Sequence, residues 1–478
     1  MQTMTHPVRT LDDLRGRRVV VLGLARSGVA AARMLAAAGA EVSAYDRRPA
    51  SELDESVASL QERHVRLALG LTPAAVGLLL GTAELLVTSP SISPDFPTTD
   101  DWLREALRDA RQRGVDLVSE VELFLRLTRA RVLAVTGTKG KTTTTALIGA
   151  ILDAADLPHA VGGNIGQPLI EQVGLLGPDD WAVLELSELQ LPTITRGAAI
   201  AVYTNITADH LDRHPSVEAY RAVKARLAEL SVPTGRVVLN ADDPVSRELG
   251  ARLPPDAIDW YGIETADRSL AATVDADGWL TLHGERLLPA AELRLPGRHM
   301  QADVLAAAVG GSLAGAAPDA IAAAVRGFAG VPHRLELIGE WGGVRWVNDS
   351  QATIPVAAIA ALRAYAPAPV VLIAGGKDKG LDYAELADAI AEVCRGVVLI
   401  GETAATLERH IARRVPTARA DSMAGAVASA AAMARPGDVV LLAPAAASFD
   451  MFDDYEARGD AFRAAAVARN EAPAGGAQ

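Results

Sequence analysis

Two lysines, two glycines and a run of threonines stand together in the segment AVTGTKGKTTTT, residues 134–145. An apolar run at Val132–Val135 predicts a strand before it, and the residues from Thr143 onward predict a helix. The backbone N–H groups of such a turn would bind phosphate oxygens, Lys141 would neutralise their charge, and Thr142 would meet Mg²⁺. The spacing is a compact variant of the usual phosphate loop, because Val135 occupies the place of its first glycine. We therefore predict an ATP site formed by Gly137, Thr138, Lys139, Gly140, Lys141, Thr142 and Thr143.

Two further polar side chains stand at the ends of apolar runs downstream of this loop. Glu185 closes the run WAVLE, and His210 follows YTNITAD. Because the carboxyl ends of parallel strands meet at one edge of a sheet, both side chains should lie beside the phosphate loop, where metal ligands are expected. Taken singly, Glu185 is also compatible with a solvated strand end and His210 with a helix cap. Their combination with the loop favours metal binding.

The composition sets the broad class of protein. The chain has 478 residues, half of them hydrophobic, so it should fold into two to four globular domains. A formal charge of −13 argues against sequence-independent binding of nucleic acid. Cys394 is the single cysteine, which excludes an intramolecular disulfide. The sequence contains no apolar signal segment and no uncharged run of bilayer length, so we expect a cytoplasmic protein.

The first region of the chain has the pattern of a nucleotide-binding βαβ unit. Val19–Leu22 and Glu41–Asp46 predict strands, and a helix is predicted over Val29–Ala38 between them. The turn reads G-x-A-x-x-G, with Ala25 in the place of the middle glycine. A dinucleotide pyrophosphate needs close backbone approach there, which weakens an NAD site. A UDP-type ligand and a structural nucleotide fold both remain open.

Strands and helices alternate along the rest of the chain, which predicts an α/β fold with parallel or mixed sheets. We place domain boundaries so that the domains are 1–128, 129–331 and 332–478. The central domain is predicted to close with a β-rich segment over 261–295. The third contains four apolar strand candidates, in GVRWVNDS, PVVLIAGG, RGVVLIGE and DVVLLAPAAASFD.

A series of motifs then connects these features to a known family. In order they are GTKGKTT, GGNIG, ELSELQL, NITADHLDRH, YRAVKARL, LPGRHMQAD, VPHRLE, VNDSQAT and APAAASFD. In order and spacing the chain resembles the Mur ligase family over nearly its whole length. The resemblance implies three α/β domains: a Rossmann-like UDP-binding domain, a central domain like that of P-loop ATPases, and a Rossmann-like C-terminal domain.

The resemblance also implies an activity. The protein would be an ATP-dependent amide ligase that adds glutamate to UDP-N-acetylmuramoyl-L-alanine through an acyl phosphate, in the synthesis of peptidoglycan precursors. Its catalytic residues would be Lys141, Glu185, His210 and Lys224, and two Mg²⁺ ions would be held by Thr142, Glu185, His210 and Lys224. The family's counterpart of Lys224 is carbamylated, which turns a cation into an anionic oxygen ligand. The partners would be small molecules only, and the enzyme would be a monomer without membrane insertion.

Further substrate contacts follow from the same resemblance. Arg334 and Asp349 would contact ATP, so the third domain would close over the central one. The UDP substrate would be held by Ala25, Arg26, Ser27, Asp46, Arg47, Ser89, Pro90 and Asn164. The glutamate pocket would contain Gln351, Thr353, Lys379, Ser448 and Tyr455. A UDP ligand also accounts for Ala25, since no dinucleotide has to approach the turn.

Gln351 departs from the family pattern. The usual D-glutamate enzyme has SKATN where this chain has SQATI, so a positive charge is absent. A charge-assisted hydrogen bond is worth about 1.5–3 kcal/mol, and its loss would weaken a carboxylate contact at this position. Because Lys379 is retained, an acidic acceptor is still expected. We favour L-glutamate, whose stereochemistry would move one carboxylate away from residue 351, and keep D-glutamate as the alternative.

Other functions predict different behaviour. A non-ligase P-loop ATPase acting as a switch or motor would hydrolyse ATP independently of UDP-N-acetylmuramoyl-L-alanine. An NAD-dependent dehydrogenase would bind nicotinamide cofactor in the first domain, against which Ala25 argues. A ligase that adds glutamate to a folate would share the ATP loop but not the UDP-type first domain.

Overall fold

The computed structural model describes residues 6–53, 57, 60–164, 166–207, 216–264, 269–294, 297–378, 380–411 and 413–471. The chain forms two compact units, Met1–Phe328 and Ala329–Gln478. Among the described residues, no helix combines the length and apolar character needed to cross a membrane. Helices and strands alternate in both units, which confirms the predicted α/β class.

The first sheet is parallel throughout and has the strand order β3-β2-β1-β4-β5. Its strands are β1 Arg18–Leu22, β2 Glu41–Asp46, β3 Arg66–Leu69, β4 Leu85–Thr88 and β5 Asp116–Ser119. The accompanying helices are α1 Arg26–Ala37, α2 Pro73–Gly81, α3 Asp101–Gln112 and α4 Glu120–Leu127. Helix α1 begins three residues before the predicted Val29. Its third residue is Gly28, where a Cβ would lie 1.8 Å from the carbonyl oxygen of Gly23, so only glycine allows the helix to start so close to the turn.

The second sheet has nine strands in the order β14-β13-β12-β11-β10-β9-β6-β8-β7. They are β6 Arg131–Thr136, β7 His159–Gly163, β8 Trp181–Glu185, β9 Ile200–Tyr203, β10 Arg236–Asn240, β11 Ile258–Gly262, β12 Ala272–Val274, β13 Trp279–Leu282 and β14 Glu285–Pro289. The helices are α5 Lys141–Ala154, α6 Val217–Ser231, α7 Pro244–Gly250, α8 Arg298–Ala314 and α9 Pro318–Gly327. Strands β12 to β14 pair antiparallel and form most of the predicted β-rich segment, which is thereby confirmed.

The two sheets of the first unit share one hydrophobic core. Val121 and Phe124 on α4 belong to the same buried cluster as Leu169 and Ile170 of the central region. Polar contacts reinforce this junction, because the backbone N–H and the hydroxyl of Thr195 both donate to the buried carboxylate of Glu122, at 2.8 and 2.5 Å. The sheets are therefore held together by apolar packing as well as by hydrogen bonds.

Glu120, the first residue of α4, is a buried carboxyl at this junction. Burial raises its pKa from 4.5 to about 8, against the opposing effect of a hydrogen bond from the backbone of Ile170. The folded protein therefore binds a proton that the unfolded chain releases between pH 4.5 and about 8, and its free energy of unfolding should fall as the pH rises through that window. Glu120→Gln keeps the hydrogen-bond acceptor without the ionisation, so this slope should disappear. Urea unfolding at about pH 6 and about pH 9 measures it. Equal slopes in the two proteins would contradict the prediction.

The second unit contains one mixed sheet in the order β15-β16-β20-β17-β18-β19. Its strands are β15 Glu336–Trp341, β16 Val344–Asn348, β17 Val370–Gly375, β18 Cys394–Ile400, β19 Thr417–Arg419 and β20 Val439–Leu442. The helices are α10 Pro355–Tyr365, α11 Ala384–Val393, α12 Ala404–Ile411, α13 Met423–Met433 and α14 Tyr455–Glu471. The four predicted strands form its parallel centre. Strands β15 and β19 at the edges were not predicted, because one is half-exposed and the other has three residues.

Candidate functional site

The phosphate loop connects β6 to α5 and depends on two glycines. Gly137 and Gly140 have φ values of +146° and +86°, which side chains rarely adopt. There is also no room for a side chain at either position. A Cβ on residue 137 would lie 2.0 Å from the Thr204 hydroxyl, and a Cβ on residue 140 would lie 2.1 Å from an Asp303 carboxylate oxygen. Helix α5 begins at Lys141, two residues before the predicted start. The predicted ATP residues thus form one turn at the N-terminus of a helix, an arrangement that binds anions.

The segment after β9 holds this loop in place. The backbone N–H of Lys139 donates to the side-chain oxygen of Asn205 at 3.1 Å, and the Asn205 amide donates back to the Lys139 carbonyl at 3.0 Å. Thr138 bonds through its hydroxyl to the backbone of Thr207 and, at 2.9 Å, to the hydroxyl of Tyr220. Asn205, which together with Asp209 supports the predicted site beside the loop, follows the strand next to β6. Asp209 lies outside the described residues.

Glu185 ends β8, the other neighbour of β6. Its side chain is 1% exposed; Oε1 accepts a 2.7 Å hydrogen bond from the Asn164 amide, while the buried Oε2 has no hydrogen-bond partner among the described residues. A buried, unpartnered carboxylate oxygen is costly unless a cation binds it, and Mg²⁺ prefers oxygen ligands. Oε2 of Glu185 therefore suits the role of a metal ligand, while the described residues contain no group of three or more His, Cys, Asp or Glu side chains that could hold a metal. The role of Thr142 stays a prediction. His210 lies outside the described residues.

Lys224 on α6 lies on the inner side of the phosphate loop. It is 1% exposed, and its Nζ donates to the carbonyl of Gly137 at 2.9 Å and to the hydroxyl of Thr136 at 3.3 Å. The unmodified amine therefore supports the backbone where the loop leaves β6.

The predicted UDP-binding residues of the first sheet gather at the carboxyl ends of β1, β2 and β4, the edge where ligands of such sheets bind. Asp46 is engaged within the protein: it accepts the backbone N–H of Leu24 at 2.9 Å and two 3.0 Å hydrogen bonds from the Arg48 guanidinium. Asp46 thus braces the turn after β1. The guanidinium of Arg48, which was not predicted as a site residue, is bonded to the Asp46 carboxylate.

Arg26 connects this edge with the loop that contains Asn164. It is the first residue of α1, with Ala25 as the N-cap, and its guanidinium lies 3.4 Å from the carbonyl oxygen of Gly166. Asn164, in contrast, directs its amide to Glu185. The structure thus places this predicted substrate residue beside the candidate metal ligand.

In the second unit, Arg334 sits in a constrained turn before β15. Its neighbours His333 and Leu335 both have positive φ values, +62° and +43°, which are uncommon for residues with side chains. The backbone N–H of Leu335 donates to Asp349 Oδ1 at 3.1 Å. The two residues predicted to contact ATP are therefore joined through this turn, with Arg334 exposed and Asp349 buried. Such strain is typical of functional segments.

Asp349 should make both stability and activity depend on pH. Burial raises its pKa from 3.8 to about 6, although the Leu335 hydrogen bond and the Arg334 charge act in the opposite direction. The stability it contributes is therefore present below pH 3.8 and is lost as the pH rises through about 6. Asp349→Asn should remove that slope, stabilise the unit at pH 8 by about 1–3 kcal/mol and lower ligase activity.

Thermal unfolding and initial rates measured from about pH 5 to pH 8 test this pair of effects. Asp438 offers the matched control, because it is also buried but is bonded to the guanidinium of Arg395. Asp438→Asn should destabilise the unit, since it leaves a cation with a weakened partner. A destabilised Asp349→Asn protein at pH 8 would contradict the prediction.

The predicted glutamate-pocket residues lie at the carboxyl ends of β16 and β20. Gln351 and Thr353 follow β16, and Ser448 follows β20, while Tyr455 begins α14. The loops are joined by a hydrogen bond from the Ala445 N–H to the Ala352 carbonyl at 2.8 Å. Lys379 lies outside the described residues. A fully buried arginine on α14, Arg458, also contacts both loops and was not predicted.

Comparison with known proteins places these features in a family. Residues 135–310 match the model of the Mur ligase middle domain, and residues 333–446 match that of the Mur ligase glutamate ligase domain. The UDP-N-acetylmuramoylalanine–D-glutamate ligase of Solibacter usitatus is 43% identical over 451 residues, covering 94% of this chain and 97% of that protein. This chain belongs to the Mur ligase family. The ligase of the same name from Acidobacterium capsulatum is 40% identical over 471 residues, 97% of this chain and 98% of its own.

Solved structures agree with this Mur ligase in fold. The UDP-N-acetylmuramate–alanine ligase of Thermotoga maritima has a TM-score of 0.54 at 18% identity, covering 93% of this chain and 98% of its own. The murein peptide ligase of Psychrobacter arcticus has a TM-score of 0.52 at 18% identity, with coverage of 94% and 99%. The family assignment makes the protein an ATP-dependent ligase that adds an amino acid in peptidoglycan synthesis and uses ATP with Mg²⁺. The phosphate loop at residues 137–143 and the free oxygen of Glu185 are the parts of this Mur ligase that suit that chemistry.

Proposed function

We propose that this Mur ligase joins D-glutamate to UDP-N-acetylmuramoyl-L-alanine, with ATP converted to ADP and phosphate. The observation that carries the proposal is near-complete alignment: the relatives from Solibacter usitatus and Acidobacterium capsulatum, whose names state this reaction, are 43% and 40% identical over at least 94% of the chain. Location in the cytoplasm and a monomeric state stay predictions.

The reaction divides into two displacements. An oxygen of the alanyl carboxylate forms a bond to the γ-phosphorus of ATP, the bond to the bridging oxygen breaks, and ADP leaves with that electron pair. The amine nitrogen of glutamate then attacks the acyl carbon, the carbon–oxygen bond to phosphate breaks, and the nitrogen loses a proton. Both steps depend mainly on positioning and on stabilisation of charge at the phosphoryl group.

The phosphate loop and Lys141 would bind the phosphates and balance their charge. Lys141 donates to the carbonyl of Thr138 at 2.9 Å, which holds its ammonium at the loop. Mg²⁺, bound by Glu185 and Thr142 together with His210 and Lys224, would neutralise charge on the transferred group. A pair of ions and a carbamate on Lys224 belong to this proposal.

The neutral side chain of Gln351 bears on which amino acid the enzyme accepts. Its absent charge is the reason for the L-glutamate preference predicted from sequence, and the relatives named above give that preference no support. Gln351 is half-buried, with its backbone N–H bonded to the carbonyl of His333 at 3.0 Å. The loop is thus anchored through backbone groups that do not depend on the side chain at 351, and we propose D-glutamate.

The test is a coupled measurement of phosphate release and amide product. The protein is supplied with ATP, Mg²⁺ and UDP-N-acetylmuramoyl-L-alanine, with D-glutamate in one arm and L-glutamate in the other. We expect product with D-glutamate only. Product with L-glutamate alone would restore the opposite preference, and phosphate release that ignores the UDP substrate would indicate an ATPase of another kind.

The variant Gln351→Lys measures how much a positive charge at this position contributes to glutamate binding. If a carboxylate of the acceptor approaches residue 351, the added ammonium should lower the KM for D-glutamate about tenfold, the equivalent of one charge-assisted hydrogen bond. Gln351→Met serves as the control without charge. An unchanged KM in the lysine variant would show that neither carboxylate reaches this position.

A further inference from the structure

Arg458 is an arginine completely enclosed by the second unit. It lies in the first turn of α14 and is 0% exposed. Its Nε donates to the hydroxyl of Ser350 at 3.0 Å and one Nη2 proton to the Ser350 carbonyl at 2.9 Å. Nη1 donates to the carbonyls of Ala446 and Ala447, both at 3.0 Å. Every one of these acceptors is a neutral oxygen.

Burying the Arg458 charge among neutral acceptors costs folding free energy. A buried cation is normally bonded to a carboxylate, yet no carboxylate in the described part of the chain accepts a hydrogen bond from Arg458. Burial lowers the pKa of the guanidinium to about 10, with the charge of Asp450 acting in the other direction. A residue selected for stability alone is better replaced by an apolar side chain of similar volume. The role of Arg458 is therefore to be sought in the loop geometry that its hydrogen bonds impose.

Arg458 adds a further connection between the loops after β16 and β20, besides the hydrogen bond from Ala445 to Ala352. Ser350 lies next to Gln351 at the end of β16, and Ala447 precedes Ser448 after β20. Ala447 also accepts the backbone N–H of Lys377 from the loop after β17, at 2.9 Å. The guanidinium thus fixes the spacing between the loops at the ligand-binding edge of the sheet.

We infer that Arg458 is a positioning residue for the amino-acid acceptor, setting the distance between the Gln351–Thr353 wall and the Ser448 wall of its pocket. The inference rests on the proposed function, which assigns that pocket to glutamate. The guanidinium is itself fully buried and acts through the backbone carbonyls that it binds. Its planar fork of donors is the feature that matters, and lysine cannot reproduce it.

Steady-state kinetics of Arg458→Gln and Arg458→Lys test the inference. We expect the KM for D-glutamate to rise about 10- to 100-fold in both variants, with the KM for ATP changed by less than about threefold. Arg463→Gln is the matched control on the same helix, because Arg463 binds both oxygens of Glu336 and contacts neither loop. It should lower the unfolding temperature and leave the KM for D-glutamate unchanged.

If both Arg458 variants unfold, Ser350→Ala provides a second test of the inference. It removes the hydroxyl that accepts from Nε and donates to the carbonyl of Tyr455 at 2.7 Å, and it should raise the KM for D-glutamate about threefold or more. A KM for D-glutamate that stays at the wild-type value in any folded Arg458 variant overturns the inference. So does restoration of the wild-type KM by lysine, because charge and not the fork would then be the cause.

Failure of the proposed function would be seen separately, as absence of product from the wild-type protein. Hydrogen exchange of the backbone amides then tests the positioning role of Arg458 without requiring catalytic turnover. Amides of residues 350–353 and 446–449 should exchange at least about tenfold faster in Arg458→Lys than in Arg463→Gln. Equal exchange of these two loops in the variants would overturn the positioning role.

Discussion

Replacing Glu185 by glutamine is expected to lower kcat/KM about 100- to 1,000-fold without loss of folding stability. The carboxylate is 1% exposed, and Oε2 accepts no hydrogen bond from the part of the chain that the structure describes. Glutamine has nearly the same shape but no charge to offer a divalent cation. Because a buried charge is removed, the unfolding temperature should stay the same or rise. Rates measured over a series of Mg²⁺ concentrations, together with thermal unfolding, record both effects.

Glu122 provides the matched control for that experiment. It is also 1% exposed, but both of its oxygens are bonded, to Arg126 and Thr195. Glu122→Gln should therefore destabilise the protein and leave its Mg²⁺ dependence unchanged. If the two variants show the same Mg²⁺ dependence as the wild type, Glu185 is not a metal ligand.

Lys141→Met is expected to reduce kcat about 1,000-fold. The lysine stands at the first position of α5, where its ammonium and the helix N-terminus both favour phosphate. Methionine keeps the length and apolar stem of the side chain but supplies no charge to the group in transfer. Single-turnover phosphate release measures the effect on chemistry, and binding of a fluorescent ATP analogue measures the effect on affinity.

Lys139 allows the same change of charge to be made two residues away. Its side chain is exposed, and its contribution to the loop consists of backbone bonds to Asn205. Lys139→Met keeps those backbone bonds, so it should lower kcat much less than Lys141→Met does. Equal losses in the two variants would mean that general electrostatic attraction, and not the position of Lys141, explains the effect.

Local patterns in the sequence predicted the parts of the site that are built from consecutive residues. The phosphate loop was located because an apolar strand, two glycines, Lys141 and a helix follow one another within a few residues. Glu185 was located because strand ends in a parallel sheet meet at one edge. These rules concern backbone geometry and need no knowledge of distant contacts.

Contacts between distant segments could not be read from the sequence. Arg458 lies 108 residues from Ser350, and an arginine in an amphipathic helix ordinarily points to solvent. Asp46 accepts the backbone N–H of Leu24, which lies 22 residues earlier in the turn after β1. Helix starts were displaced by two or three residues, because close backbone approach at Gly28 and Gly140 decides them and side-chain periodicity does not.

The core shared by the first two sheets determines how the chain can be divided in the laboratory. A fragment that ends at Thr128 would retain Val121 and Phe124 without the apolar residues of the central region that cover them. Exposed apolar patches of this kind promote aggregation. A fragment ending at Phe328 keeps both partners, and it is the shorter piece suited to expression for nucleotide-binding measurements.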